Sequence, residues 1–320
     1  MAAPRLVTLT LNPALDIAGT AQRVRPTHKI RTAGEHIDPG GGGVNVARVT
    51  HELGGEVEAI LLAGGATGQL VGELLTEARV AHRAVPIGGR TRISVTVLEQ
   101  ESGLEYRFVP EGPELSEAEW GAALDLLESV ACDWLIASGS LPRGVPVDIY
   151  ARIARIAARR GQRFVLDTSG PALQAAFGAG IDLLKPSLGE LEAALGRRLR
   201  DGAAQEEAVR ALVRQGAARM IALTLGRDGA VLAAGGEVLR LRPQEVEVQS
   251  AVGAGDSFLA AMTLALARGE APAHALAWGI AAGTAAIGGI GTARLTRADV
   301  EARYRALRDR DGTDERGQPC

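Results

Sequence analysis

In SAVGAGDSFLAAM, residues 250–262, the small residues Gly253, Ala254 and Gly255 stand directly before an acid, Asp256, where an apolar helical pattern begins. Bare backbone amides and a carboxylate thus meet at one helix entrance, and helix entrances take anions readily. The plainer reading is that Asp256 only caps the helix and the glycines only turn the chain. In DPGGGGVNVARV, residues 38–49, four consecutive glycines precede a second helical pattern marked by Val44 and Ala47, with Asn45 between them. Such a string lets amides approach a phosphate or a sugar hydroxyl, or else it is a flexible surface loop. It fits neither G-x-G-x-x-G nor G-x-x-x-x-G-K-[ST], the usual nucleotide fingerprints. SGSLPRG, residues 138–144, offers Ser138 and Ser140 as donors to a phosphate or as plain turn residues. DLLKPSLGELEAA puts Lys185 at a strand end and Glu190 in the first turn of a helix, a position that also suits the helix dipole.

The elements that must position these stretches alternate along the chain. RLVTLTLN, EAILLAGG, DWLIASG, RFVLDTSG, IDLLKPS and RMIALTLG are apolar runs that end in Gly, Ser, Asn or Pro, and most lead into 3.6-residue periodicity. Near-continuous apolar strands separated by helices predict an α/β fold, a doubly wound and mostly parallel sheet with helices on both faces. Ligands bind at the carboxyl ends of such strands, where the polar punctuation of this chain falls. Two stretches, 14–37 and 90–109, break the rhythm. In the second, Ile93, Val95 and Val97 alternate with Arg92, Ser94 and Thr96, as a half-buried antiparallel strand does, before a turn at ESG into another strand. Together the two predict a small sheet outside the main one, either a lid or a dimer contact. RDRDGTDERGQPC has no apolar face and reads as disordered, so the expected domain is 1–310 with a tail at 311–320.

The 320 residues, 46% of them hydrophobic, suffice for a large core. A balance of 35 basic against 38 acidic residues leaves a net charge of −3, no electrostatic footprint for nucleic acid or an anionic membrane. Cys132 and Cys320 are too few for a disulfide framework, and MAAPRLVTLTLNP lacks the order of a signal peptide. AHALAWGIAAGTAAIGGIG is diluted by small residues and reads as buried helix, not as a span, so a cytoplasmic protein is expected. Among the 35 basic residues only Lys29 and Lys185 are lysines. Either they sit where a compact ammonium is needed and a planar guanidinium will not fit, or they survive by chance.

Taken in order, Asp16 in TLNPALD, then PGGGGVNVAR, RTRIS, SGSLPRG, LLKPSLGE, LTLGRDGA and VGAGDSFLAAM resemble the ribokinase-like (PfkB) family of ATP-dependent sugar kinases, across about residues 5–305. The details GGGGVNVAR, YRFV, SGSLP and QSAVGAGDS resemble the phosphosugar-kinase branch that holds the minor bacterial 6-phosphofructokinase, with 1-phosphofructokinase and tagatose-6-phosphate kinase as near relatives. The resemblance implies phosphorylation of fructose 6-phosphate by ATP, in a homodimer joined through the lid. It implies Asp256 as the general base, and the amides of Gly253, Ala254 and Gly255 as an anion hole for the transferred phosphoryl group. Phosphoryl transfer needs chiefly positioning and charge neutralisation, which helix-terminal amides supply without reorganising. By the same resemblance, Asp16 and Asn45, with the amides of Gly41 and Gly42, hold the sugar hydroxyls. Lys29, Arg92 and Ser140, with Arg31 beside them, hold the phosphate already on the substrate. Lys185, Ser187, Thr224, Gly226 and Gly229 fall on the nucleotide side. Glu190, assisted by Asp167, organises the water shell of Mg²⁺, an ion that keeps several of its waters.

The chain departs from the family pattern twice. Ser187 stands where Asn is usual after Lys-Pro, which shortens a magnesium or phosphate contact. QSAVGAGD replaces a D-T-T-like run, so a loop for K⁺ would rely on carbonyls such as those of Ser250, Val252, Ala286, Gly289 and Gly291. A dinucleotide oxidoreductase would show G-x-G-x-x-G after its first strand, and TLTLNPALD has none. A non-catalytic sugar-binding protein on this fold would have lost the base, and Asp256 is present. Fructose 6-phosphate and tagatose 6-phosphate differ in one hydroxyl's configuration, a choice the sequence leaves open.

Overall fold

In the first strand, β1 (Arg5–Thr10), Val7 and Leu9 point to one core and Leu6 to the other, and all three are buried, as a strand covered on both faces requires. The computed structural model describes residues 3–244, 246, 252–287 and 295–311. After β1 come β2 (Ala14–Ala21), β3 (Ala33–Gly40), α1 (Gly42–Glu52), β4 (Glu56–Ala63), α2 (Gly65–Glu77) and β5 (Ala81–Pro86). Next are β6 (Arg92–Glu99), β7 (Glu105–Phe108), α3 (Glu117–Ser129), β8 (Trp134–Ser138), α4 (Ile149–Arg159), β9 (Arg163–Asp167) and α5 (Pro171–Ala176). The chain continues through β10 (Leu183–Leu184), α6 (Leu188–Leu195), α7 (Gly202–Arg214), β11 (Met220–Thr224), β12 (Ala230–Ala234) and β13 (Glu237–Leu241). Helices α8 (Ala254–Ala267), α9 (Pro272–Ala286) and α10 (Arg297–Asp311) complete it.

The main sheet has nine strands in the order β13-β12-β11-β10-β9-β8-β1-β4-β5. Its members are parallel from β5 to β11, and the apolar runs read as strands in the sequence supply β1, β4, β8, β9, β10 and β11. Strands β12 and β13 add an antiparallel hairpin at one edge. Helices α3 to α7 cover one face and α1, α2, α8, α9 and α10 the other, each burying its own apolar cluster. The α/β expectation therefore holds. Truncating a side chain such as Leu9 in the central strand would cost roughly 2–5 kcal/mol.

Succession reverses at β1, with β4 and β5 on one side and β8 to β11 on the other. A crevice forms outside the carboxyl ends of strands at such a switch point. The second sheet, β3-β2-β6-β7, is built from the two stretches that broke the rhythm of the sequence. Its burial differs from the simple alternation expected of 92–97: Val97 is buried, but Ile93 is exposed and Val95 only half-buried. Helix α2 packs on β2 and β3, whereas Ile93 on β6 is exposed. Of the expected tail, residues 312–320 lie outside the described residues, and α10 runs on to Asp311. Among the described residues no helix is long and apolar enough to cross a membrane.

Candidate active site

Helix α8 opens on Gly253, whose φ of 78° is left-handed, a region glycine enters without strain. Gly253 has no side chain with which to cap the amides of the first turn. Asp256 lies in that turn and its Oδ2 accepts from Asn45 Nδ2 of α1 at 2.8 Å. Part of Asp256 remains open to the cleft while protein surrounds the rest. Burial, then the charge of Asp167, pushes its carboxyl up to about 7, against the Asn45 hydrogen bond and the Lys185 ammonium. A carboxylate poised there exchanges protons near neutral pH, as a general base must.

Lys185, at the end of β10, meets Asp167 Oδ1, at the end of β9, at 3.1 Å. Burial disfavours its charge, but Asp167, Glu190 and Asp256 together hold the ammonium above its usual range. A Cβ on Gly255 would stand 3.6 Å from Lys185 Nζ, so the ammonium lies against the start of α8. Burial raises the Asp167 carboxyl, opposed by Lys185 and reinforced by Glu190. Ser187 is the N-cap of α6: Ser187 N donates to Glu190 Oε2 at 2.7 Å and Glu190 N to Ser187 Oγ at 3.3 Å. Glu190 thus closes a capping box, and its charge also acts on the Lys185–Asp167 pair. Among the described residues no three His, Cys, Asp or Glu side chains converge as a metal cage. Two neighbouring carboxylates, Asp167 and Glu190, suit Mg²⁺ that keeps its waters and binds through phosphate oxygens. Thr224 ends β11, and the turn 226–229 that follows is closed by Leu225 N donating to Gly229 O at 2.8 Å. Val252 immediately precedes the α8 cap and Ala286 ends α9; Ser250, Gly289 and Gly291 lie outside the described residues.

On the far side of Asp256 the glycine string is not a loose loop. Gly41 is the N-cap of α1, and Gly42 and Gly43 are already helical. Gly42 lies so close to Ser138 Oγ that no Cβ would fit, which locks the start of α1 onto the end of β8. Asp16, on β2, fills the space beside Gly40, and its charge acts on both Arg92 and Asp256. Arg92 donates through Nη1 to Pro110 O at 2.8 Å and through Nη2 to Asn12 O at 2.9 Å. Burial lowers its basicity, against the pull of Asp16. Ser140 is exposed in the cleft. Lys29 and Arg31 lie exposed on the connection between β2 and β3, without a hydrogen bond or ion pair among the described residues.

Sequence reasoning missed Asn12. It is 4% exposed and donates through Nδ2 to Glu111 O at 2.8 Å and to Ser140 Oγ at 3.4 Å. The only signal was its place at the polar end of the first apolar run. Also unread was the anchoring of the 138–140 turn, whose Gly139 carbonyl accepts from Tyr150 OH and Thr168 Oγ1, each at 3.0 Å.

Comparison with known proteins bears on the whole of this arrangement. The pfkB family carbohydrate kinase profile matches residues 10–298. An ATP-dependent 6-phosphofructokinase isozyme 2 of Mycobacterium tuberculosis is 43% identical over 300 residues, covering 93% of this chain and 88% of that protein. A 1-phosphofructokinase of Rhodobacter capsulatus is 34% identical, over 87% of this chain and 90% of its own. The crystal structure of phosphofructokinase-2 from Escherichia coli in complex with potassium superposes with a TM-score of 0.91 at 37% identity, covering 95% of this chain and 99% of the other. By sequence and by fold, this chain belongs to the pfkB family of carbohydrate kinases.

Proposed function

We propose that this protein transfers the terminal phosphoryl group of ATP to fructose 6-phosphate, giving fructose 1,6-bisphosphate. The observation that carries the reading is Asp256: a carboxylate in the first turn of an uncapped helix, held by Asn45 and poised at about 7. Asn45 fixes one carboxylate oxygen, and the other receives the proton of the attacking hydroxyl. The amides of Gly253, Ala254 and Gly255 meet the phosphoryl group in flight, and Lys185 lies beside them. Bound Mg²⁺ supplies charge neutralisation on the nucleotide phosphates, and Glu190 and Asp167 would hold its water shell. Thr224, Gly226 and Gly229 line the nucleotide end.

Asp16 and the Gly41–Gly42 amides orient the sugar. Arg92, Ser140, Lys29 and Arg31 receive the phosphate it already carries, the last two arriving as the small sheet closes and water is excluded. That sheet also joins two copies in this reading. Six of the eight exposed large apolar side chains among the described residues, Ile30, Ile37, Ile93, Leu104, Phe108 and Val109, belong to its strands or connections. A K⁺ ion activating the enzyme would lie against the carbonyls of Val252 and Ala286, and comparison of rates in KCl and tetramethylammonium chloride tests it.

ADP release with MgATP against fructose 6-phosphate, tagatose 6-phosphate, fructose 1-phosphate and fructose, compared by kcat/KM, tests the whole assignment. Preference for fructose 6-phosphate is the expected result. Preference for fructose 1-phosphate or tagatose 6-phosphate would keep the chemistry and change the substrate, and no turnover with any of the four would overturn the reading.

A further inference from the structure

We infer that Asn12 is a positioning residue that makes Ser140 a hydrogen-bond donor toward the phosphate monoester of the acceptor, and so sets the preference for a phosphorylated sugar. The inference rests on the acceptor assignment above and adds a residue to it.

The orientation of the Asn12 amide follows from its partner. A main-chain carbonyl can only accept, so the side-chain nitrogen must face Glu111 O, at 2.8 Å. The same nitrogen reaches Ser140 Oγ at 3.4 Å, so Ser140 accepts on that side. Its proton must then leave on another, and Ser140 is exposed toward the cleft. An incoming phosphate oxygen, which is acceptor-only, meets a hydroxyl already turned the right way.

Asn12 also holds Arg92, the other side chain of this region assigned to that phosphate. Its main-chain oxygen takes Arg92 Nη2 at 2.9 Å, while Arg92 Nη1 holds Pro110 O at 2.8 Å. Asn12 and Arg92 therefore grip the same strap, 110–112, from two sides. The strap sits so tightly that a Cβ on Gly112 would collide with Asn12 Oδ1. That oxygen is buried and has no hydrogen-bond partner among the described residues. A buried polar atom left unpaired is destabilising, whereas an apolar residue of similar shape would avoid it. The amide is kept for what its nitrogen does.

Asn12→Asp keeps the shape and reverses the polarity: a carboxylate accepts the Ser140 proton and repels Glu111 O. The expected result is a rise of roughly tenfold or more in KM for fructose 6-phosphate, with KM for MgATP moving less than about twofold. The kcat/KM preference for fructose 6-phosphate over fructose should fall by the same factor. A purely structural role would weaken both acceptors and ATP alike, and that outcome overturns the inference. Thermal melts report whether Asn12→Asp folds; if it does not, Asn12→Ala and Ser140→Ala in a double-mutant cycle carry the test. Acting through Ser140, Asn12→Ala should do little more in the Ser140→Ala background, and full additivity would refute the link. Wild-type enzyme without any preference for a phosphorylated acceptor would instead sink the proposed function itself.

Discussion

Helices α6 and α8 both open on the cleft with an acid at the third helical position, Glu190 and Asp256, and their fates differ because of the residue three places earlier. Before Glu190 stands Ser187, and hydroxyl and carboxylate close on each other's amides. Before Asp256 stands Gly253, which has no side chain to offer, and the acid turns instead to Asn45. One helix start is closed by its own side chains; the other has no side-chain cap, which is what the proposed anion hole requires. An acid at the same position is thus a cap in one helix and a candidate base in the other.

Several changes should break or sharpen that contrast. The largest effect is expected from Asp256→Asn, which should lower kcat by about 10²–10⁴-fold while calorimetry still detects phosphosugar binding. In the wild type at MgATP well below its KM, kcat/KM should be flat above pH 7 and fall about tenfold per unit below it, as Asp256 protonates. Stability should respond in the opposite sense. The folded pKa, about 7, lies above the ordinary 3.8, so the native state holds this proton more tightly than the unfolded chain. Ionising Asp256 therefore destabilises the fold as pH rises from about 4 to about 7, on a scale of about 1.4 kcal/mol per unit of pKa. Asp256→Asn should accordingly melt higher than wild type at pH 8, with the difference shrinking by pH 5. Gly253→Ser, which adds a cap hydroxyl and a Cβ at a left-handed φ, should reduce kcat by about 10²-fold without a matching rise in phosphosugar KM. Lys29→Ala and Arg92→Ala should raise phosphosugar KM by roughly 10- to 100-fold and spare KM for ATP; a loss of ATP affinity would mean the two anion sites had been exchanged. The smallest effect belongs to Ser187→Ala, about 1 kcal/mol of stability by denaturant titration, with kcat changed little.

What the sequence makes legible is what is local. Six strands of the large sheet announce themselves because they are buried on both faces and so are apolar throughout. β5, AHRAVP, escapes because an edge strand is half polar and ends in Pro86. The β12–β13 hairpin has as its local sign only the two glycines between AVLAA and EVLRL, and such a pair also fits the loops between helices and parallel strands. In the site, the motif residues Asp256, Asn45, Lys185, Asp167 and Glu190 come together as their order implied. Asn12 does not show itself, since its meaning lies in a contact 128 residues away and its own neighbourhood reads only as the end of a strand. The exposure of Ile93 was equally hidden, because alternation in 92–97 reports two faces and not what covers either.

The two carbonyls that hold Arg92 bear on how a charged sugar would be caught. A free arginine side chain gives up about 2 kcal/mol of rotamer entropy when it is immobilised, and for Arg92 folding has already taken that loss. Lys29, exposed and without a hydrogen bond or ion pair among the described residues, still has its own freedom to lose. Capture of the sugar would then have two tempos: a rapid first hold on a guanidinium that does not move, and a slower second one, set by how long an ammonium takes to find its place.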